Sequence, residues 1–548
     1  MPTEVGAAIS KGELSVAMIL TDKRAIVMKL RKPEVVLNVI STAKRFVVPA
    51  TGEELVAIPH DPIPTMQLRI LGFEGIPDPM NIYYTYPGRY KPFEAQRETA
   101  SFASVHKRCF ILNSMGLGKT ITSLWAFDYL KSRKQVCKLM IVCPISVMER
   151  TWADEIMHNF PQYKVNILYG SAKKRIQLLE DRSADIYIVN TDGQKIIKDY
   201  MKDRWDINLI IIDEVALFRN SQSARWKSMN EICNKQIEGK RWVWGMTGSP
   251  IPNSPEDAYG QMKLVTPDSP RLPRSFSAWR DRVMLHVSQF KWAPKLDAVK
   301  TVFEVMQPSI RFSLDDAVDL PPQVIQERKV PMTTEQKRAF ETMYSRLEMW
   351  AENEAKTITA VNDAVKVSKL LQIVCGVVYG EDGMEAVVNN KERLNALNEV
   401  VCESEGKVIV FVPFSAALEN VRQYLEKQGH SVAVVQGSTS KAERDEIFYS
   451  FQNNEEPKVI VANPATMSHG LTLTAATTIA WYGPVYSNEI YQQACARVRR
   501  PGQKRATVIV HFTSSGLEDR IYQRLRDRQS VQGTLLEMVK EHKCTVVY

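Results

Sequence analysis

An apolar run at 109–112 leads into Asn113-Ser114-Met115-Gly116-Leu117-Gly118-Lys119-Thr120 and then a helix-like segment at 121–130, and no other stretch of this 548-residue chain restricts the fold so tightly. Strand, glycine turn and helix start in that order form a cradle for phosphate. The glycines let backbone N–H groups close around the oxygens, the helix N-terminus adds positive dipole, and Lys119 and Thr120 reach the terminal phosphates and Mg²⁺. The full pattern asks for Gly where this chain has Asn113, so residues 115–120 taken alone also allow a merely structural glycine turn.

The rest of the chain supplies the context. A length of 548 residues exceeds one hydrophobic core and implies three or four domains at roughly 100–200 residues each. Hydrophobic content of 44% and charged content of 24% exclude a disordered chain. A formal charge of +9 and a pI near 8.9 suit a polyanionic partner as well as they suit an ordinary solvated surface. The eight cysteines form no Cys-x-x-Cys pair and have no His at zinc-ligand spacing, which points to reduced core thiols of an intracellular protein. Glu4, Lys11 and Glu13 stand where a signal peptide needs an apolar run, and the uncharged run at 139–148 is too short to span a membrane.

Residues 1–88 read as a small β-rich accessory domain and linker, with short apolar runs at 14–20, 25–30, 35–40 and 46–48. Its dense cations, among them Lys23, Arg24, Lys29, Lys44 and Arg45, fit substrate recognition or a solvated surface equally well. From residue 89 to 267 apolar runs alternate with helix-length segments, the mark of an α/β parallel sheet. Residues 268–390 turn helix-like, including an Arg- and Trp-bearing segment at 279–286 and an amphipathic stretch at 334–371. Residues 391–520 repeat the α/β texture, and 521–548 read as a helical brace. Two α/β lobes follow, and only the first has the phosphate loop.

Three further constellations carry chemistry. Ile210-Ile211-Ile212-Asp213-Glu214 is an apolar strand ending in two acids, which in a phosphate-loop protein order the Mg²⁺ ligand shell (Asp213, with Thr120) and polarise the attacking water (Glu214). Thr247 and Ser249, in Gly245-Met246-Thr247-Gly248-Ser249-Pro250, follow another strand and are expected beside the nucleotide, sensing the γ-phosphate. Arg497 and Arg500 lie three apart, on one face if helical. Such arginines neutralise transition-state charge when two lobes close, and read alone they also make a basic helix.

In this order, the motifs resemble those of superfamily-two helicases, specifically the Swi/Snf-like branch, over about residues 91–519. Residues 115–120, Asp213-Glu214, Thr247-Gly248-Ser249-Pro250 and the stretch from Gln493 through Arg497, Arg500 and Gln503 carry the resemblance. The same order holds for Pro92-Phe93-Glu94-Ala95-Gln96, for Pro144-Ile145-Ser146 with Trp152 and Glu155, for Val189-Asn190-Thr191, for Gln436-Gly437-Ser438 and for Gly470-Leu471-Thr472.

The resemblance implies an α/β fold of two RecA-like parallel-sheet lobes with helical insertions and the small β-rich N-terminal domain. It implies ATP and Mg²⁺ as cofactors, with Gln96 reading adenine and Met115, Gly116, Leu117, Gly118, Lys119, Thr120 and Gly470 contacting ATP. Lys119, Asp213, Glu214, Arg497 and Arg500 are its catalytic set. Ser146, Asn190, Thr247, Ser249, Gln436, Thr472 and Gln493 are its coupling or DNA-facing positions.

The chain departs from the branch pattern at Asn113-Ser114, where Asp-Glu is usual, at Val215-Ala216, where a His is usual, and at Arg499 and His469. None of these removes a phosphate, metal or water-activating group. The compact size, the Asp213-Glu214-Val215-Ala216 box and Tyr86-Pro87-Gly88-Arg89 resemble the short Swi/Snf-like proteins of bacteriophages, which implies the cytoplasm of an infected bacterium.

The function implied is ATP-dependent translocation on duplex or branched DNA through backbone contacts by a monomer, with phage or host replication and recombination proteins as partners. The alternatives are a strand-separating helicase on DNA or RNA, and a DNA-binding scaffold that hydrolyses little. For residues 1–88, the expectation is that their deletion spares basal ATP hydrolysis and lowers activation by forked DNA.

Overall fold

The computed structural model describes residues 3–4, 14–288, 291–353, 360–379, 385–467 and 472–527. The chain divides into two compact units that part between residues 317 and 318, each built on a parallel sheet.

The sheet of the first unit has seven strands in the order Ser309–Ile310, Arg108–Ile111, Trp242–Met246, Ile207–Asp213, Lys138–Cys143, Ile186–Asn190 and Val165–Leu168, every neighbouring pair parallel. Helices cover both faces, which is why the central strands are continuous apolar runs rather than alternating ones. Leu209, Ile210, Ile211 and Ile212 are all buried. In such open sheets ligands bind beyond the carboxyl ends of the strands, and the site motifs of this unit, Gln96 on its helix apart, sit at or just after a strand end.

Ahead of this sheet lies an antiparallel one, in the order Thr3–Glu4, Leu14–Leu20, Ala25–Leu30, Glu54–Pro59 and Lys44–Val47. It has its own core of Ile26, Met28, Val56, Ile58 and Leu68. The run at 35–40, expected as a strand, is instead the short helix Glu34–Leu37. Pro33 precedes it with φ −59°, a pre-set helical value on a residue that has no N–H to give a ladder.

Residues 79–87, expected to be linker, belong to the core of the first unit. Met80 packs in the same cluster as Trp125 and Trp244. The Trp125 Nε1 donates to Pro87 O at 3.0 Å, the Tyr84 hydroxyl donates to Asp128 Oδ2 at 2.7 Å, and Arg133 pairs with Asp61 at 2.7 Å. Three side chains of the helix Lys119–Ser132 and its C-cap thus hold the N-terminal region.

The stretch 268–390 is less uniformly helical than its composition implies. It gives each sheet an edge strand, Ser309–Ile310 to the first and Gln323–Lys329 to the second. The helix expected at 279–286 runs only over Phe276–Val283 and continues as the strand Met284–Ser288, because Leu285 and Val287 alternate at the strand period. Helices Thr334–Asn353 and Ala360–Val374 fall on the expected amphipathic stretch.

The second unit has six parallel strands in the order Gln323–Lys329, Thr507–Thr513, Ala476–Trp481, Lys407–Phe411, Val459–Ala462 and Val432–Val435. Arg393 ties this unit together from inside. It pairs with Glu518 at 2.6 Å with both side chains buried, and donates to the carbonyls of Tyr482 and Phe512. The expected brace at 521–548 lies outside the described residues beyond 527. Among the described residues no helix is long and apolar enough to cross a membrane.

Candidate active site

The phosphate loop joins Arg108–Ile111 to the helix Lys119–Ser132. Gly116 and Gly118 have φ of +88° and +67°, values that side chains other than glycine adopt only under strain. A Cβ on Gly118 would also come within 2.6 Å of the Gln96 Nε2. Lys119 Nζ donates to the loop carbonyls Asn113 O at 2.9 Å and Ser114 O at 3.3 Å, so the ammonium stays inside the cradle. Thr120 follows on the first turn and is half-buried. Met115 packs close to Gly248.

Gln96 latches the loop to the helix Glu94–Val105. Its Oε1 accepts from Phe93 N at 3.0 Å and its Nε2 donates to Leu117 O at 3.0 Å. Asn113, one of the departures noted above, has a structural task. Its Nδ2 donates to the Thr99 hydroxyl at 2.8 Å and its Oδ1 accepts from Phe312 N at 2.9 Å, joining three segments behind the loop. Arg311 adds a bond to Leu112 O at 2.6 Å. No local pattern marks Thr99, Arg311 or Phe312, since their partners are remote in sequence.

Asp213 ends the strand Ile207–Asp213, and its Oδ2 accepts from Trp152 Nε1 at 2.9 Å. Burial raises the Asp213 carboxyl above its ordinary value, opposed by the Trp152 hydrogen bond and the charge of Lys119. Glu214 sits at φ +61°, ψ +57°, a left-handed conformation costing about 1–2 kcal/mol for a residue with a Cβ. Its Oε1 accepts from the Thr247 hydroxyl, which in turn accepts from Ser249 N at 3.0 Å. Thr247 and Ser249 are fully buried. The Thr247 hydroxyl, expected against a phosphate, is thus committed to Glu214.

Ser146 is exposed in the turn Ile145–Val147, directly after Lys138–Cys143. Asn190 ends its own strand with Oδ1 accepting from Arg175 Nη1 at 2.8 Å, so its amide oxygen is engaged within the unit.

In the second unit Gln436 caps a turn after Val432–Val435, its N–H donating to Thr439 Oγ1 at 3.0 Å. Gln493 is buried in the helix Asn488–Cys495, which ends before the two arginines; they lie in a turn and share no helical face. Pro501 disfavours helix at Arg500. The two fold back instead, Arg497 Nε to Gln493 O at 3.0 Å and Arg500 Nε to Ala496 O at 2.8 Å. Arg500 Nη1 also donates to Thr472 Oγ1 at 3.1 Å. Desolvation holds the Arg500 guanidinium below its usual value, at about 10, and no carboxylate pairs with it among the described residues. Gly470 and His469 lie outside the described residues.

The SNF2-related domain matches residues 93–376 and the helicase conserved C-terminal domain matches 392–502. The chain belongs to the SNF2-related family. A relative, protein p41 of Acyrthosiphon pisum secondary endosymbiont phage 1, is 26% identical over 79% of this chain and 95% of its own length. An ATP-dependent helicase of Mycoplasma genitalium is 24% identical over 79% of this chain, and the ISWI chromatin-remodelling complex ATPase of Saccharomyces cerevisiae 24% over 82%; in each the match covers 41% of the relative. The Sulfolobus solfataricus SWI2/SNF2 ATPase core in complex with dsDNA aligns with 83% of this chain and 96% of that one, at 21% identity and a TM-score of 0.40.

This SNF2-related chain carries a helicase-like ATPase core, and ATPases of this kind use ATP, typically with Mg²⁺. The residues present fit that pair. Two glycines at positive φ shape the cradle, a Cβ on Gly118 would collide with Gln96, a lysine is retained within it, and adjoining strands lead into Asp213-Glu214 and Thr247.

Proposed function

We propose that this protein is an ATP-dependent translocase on duplex DNA that remodels or anneals forked and branched DNA during phage replication or recombination. The Glu214–Thr247 hydrogen bond carries the hydrolytic part of this reading. A hydroxyl aiming one carboxylate beside a phosphate loop suits a base that polarises water.

Bound Mg²⁺ and ATP supply a phosphoanhydride and a charge-neutralising cation. Lys119 and Thr120 would hold the phosphates and the metal, and Asp213 would hold the metal through its waters. Glu214, aimed by Thr247, takes the proton of the attacking water. Gln96 and the Gly116 to Gly118 backbone position the nucleotide. Arg497 and Arg500 neutralise charge developing on the γ-phosphate. Ser146, Gln436 and Thr472 face the DNA backbone, so binding is weakly sequence-selective and strongly salt-dependent. The phage relative that this chain covers over 95% of its length supports the setting.

The test is steady-state ATP hydrolysis with no nucleic acid, single strands, linear duplex, forked duplex and duplex RNA. Activation by duplex and forked DNA, abolished by both Lys119→Ala and Glu214→Gln, is the expected result. Activation mainly by single strands or RNA overturns it in favour of strand separation.

A further inference from the structure

Gln452 belongs to none of the motifs that mark the nucleotide site. It stands at the end of the helix Lys441–Asn453 in the second unit, and its side chain reaches across to the segment that follows Thr472. Its Nε2 donates to Thr474 Oγ1 at 3.1 Å and its Oε1 accepts from Ala475 N at 3.1 Å. Both ends of one amide are thus committed to two consecutive residues of a turn that leads into the strand Ala476–Trp481. Ordering a glutamine side chain costs rotamer entropy, and here that ordering fixes backbone that no sheet or helix holds.

The two arginines rest on that segment. Leu473 N donates to Arg497 O at 2.9 Å, and Arg500 Nη1 donates to Thr472 Oγ1 at 3.1 Å. Gln503 joins the two pieces from the arginine side, its Nε2 donating to Thr474 O and Ala476 O, at 3.2 and 2.9 Å, and to Val498 O at 3.2 Å. Each arginine spends its Nε on a carbonyl of its own turn, so the direction of the guanidinium follows the turn. The turn in turn follows residues 472–475, and Gln452 sets those from the helix side. Leu473 is buried in the same cluster as Phe448 and Phe451 of that helix, so apolar packing seats the segment and the amide orients it.

We propose that Gln452 is a positioning residue for ATP hydrolysis, fixing residues 472–475 so that Arg497 and Arg500 are presented at the angle at which they meet the γ-phosphate. This rests on the reading of the two arginines given above and adds what aims them. Electrostatic help to a transition state depends on donors that are already oriented when charge develops. Without the amide, Leu473 stays seated and Thr472, the partner of Arg500, loses its anchor.

The experiment uses the full chain and compares the affinity for Mg²⁺-ADP with that for Mg²⁺-ADP–aluminium fluoride, which imitates the phosphoryl group in transfer; steady-state ATP hydrolysis on duplex DNA is measured in parallel. Gln452→Leu removes both hydrogen bonds. It is expected to leave ADP binding unchanged, to weaken the aluminium fluoride complex by between about ten- and a hundred-fold, and to lower kcat by a similar factor at unchanged KM. Gln452→Glu, whose carboxylate still accepts from Ala475 N and from the Thr474 hydroxyl, restores both. In an Arg497→Ala/Arg500→Ala background Gln452→Leu adds nothing further, because the groups it aims are gone. If Gln452→Leu melts early, Thr474→Val and Thr474→Ser make the same comparison from the other side of the bond, Val losing the hydroxyl and Ser keeping it.

Wild-type behaviour of Gln452→Leu, an equal loss in the ADP and aluminium fluoride complexes, a loss that Gln452→Glu does not restore, or a full further loss in the arginine-free background overturns the positioning role and leaves the arginines' role standing. Wild-type protein that binds the two complexes alike, or an Arg497→Ala/Arg500→Ala variant that binds the aluminium fluoride complex as wild type does, overturns the arginine reading and this proposal with it.

Discussion

The Trp152 indole donates its N–H to Asp213 Oδ2 at 2.9 Å. Trp152 is fully buried, on a π-helical turn, Met148–Ala153, that follows the exposed turn containing Ser146. Wide turns of this kind are uncommon and cluster at functional places in helices. The surface turn at Ser146 and the carboxylate assigned to the metal's waters are therefore six residues and one hydrogen bond apart.

Replacing Trp152 with Phe keeps the ring buried and removes the donor. A hydrogen bond to a charged group contributes about 1.5–3 kcal/mol, so Mg²⁺-dependent binding of a fluorescent ATP analogue is expected to weaken about ten-fold, with Mg²⁺-independent binding unchanged. A Mg²⁺ titration identical to that of wild type would remove Trp152 from the site.

Thr247→Val takes the hydroxyl away from Glu214 and leaves the backbone in place. The turnover number for ATP is expected to fall about ten-fold or more at unchanged KM, and Thr247→Ser to restore it. An equal loss in the Ser variant would mean that the methyl group, and not the hydrogen bond, is what matters.

Each unit buries a neutral histidine. His106, bonded through Nδ1 to Phe102 O at 2.7 Å, and His511, bonded through Nε2 to the Tyr491 hydroxyl at 2.9 Å, are both pushed down by burial to about 4. Below the ordinary value of about 6.5 the unfolded chain takes up the proton and the folded chain does not. Stability is therefore complete above about pH 6.5 and is lost as pH falls towards 4, by about 2 kcal/mol per histidine at pH 5. Denaturant melts between pH 7 and 5 check this; an unchanged midpoint, or an unchanged slope in His106→Gln, would contradict it.

Arg393 and Glu518 are buried and paired at 2.6 Å. Removing one partner, as in Arg393→Met, leaves a bare buried charge and is expected to cost about 3–5 kcal/mol, whereas Arg393→Met with Glu518→Leu recovers most of it. Thermal melts distinguish the two; a double variant as unstable as the single one would show that the hydrogen bonds to the Tyr482 and Phe512 carbonyls matter more than the charge.

Much of the fold was legible because a parallel strand buried on both faces writes itself as an apolar run. The runs at 139–142, 186–189, 209–212, 408–412 and 459–461 all became strands of the two sheets. Failures came where distant pairing or a single local residue decided. Ser309–Ile310 is a strand only because Arg108–Ile111 offers it an edge, and Pro33 turns a β-like run into a helix. At the site, residue types and order were readable and contacts were not. Nothing near Asn113 names Thr99 or Phe312 as its partners, and nothing in Gly245-Met246-Thr247 says that the hydroxyl turns towards Glu214.

The helix Lys119–Ser132 begins at the phosphate cradle and, from about 9 to about 21 Å along its axis, is gripped by the N-terminal region through Trp125, Asp128 and its C-cap Arg133. One rod joins the two. The same rigid element therefore carries both the residues 61–87 that follow the small antiparallel sheet and the loop that ends at Lys119. Cutting the chain at 88 would strip Met80 and Tyr84 from the core of the first unit as well as remove the antiparallel sheet. The informative cut is therefore one that ends ahead of Asp61 and leaves residues 61–87 in place.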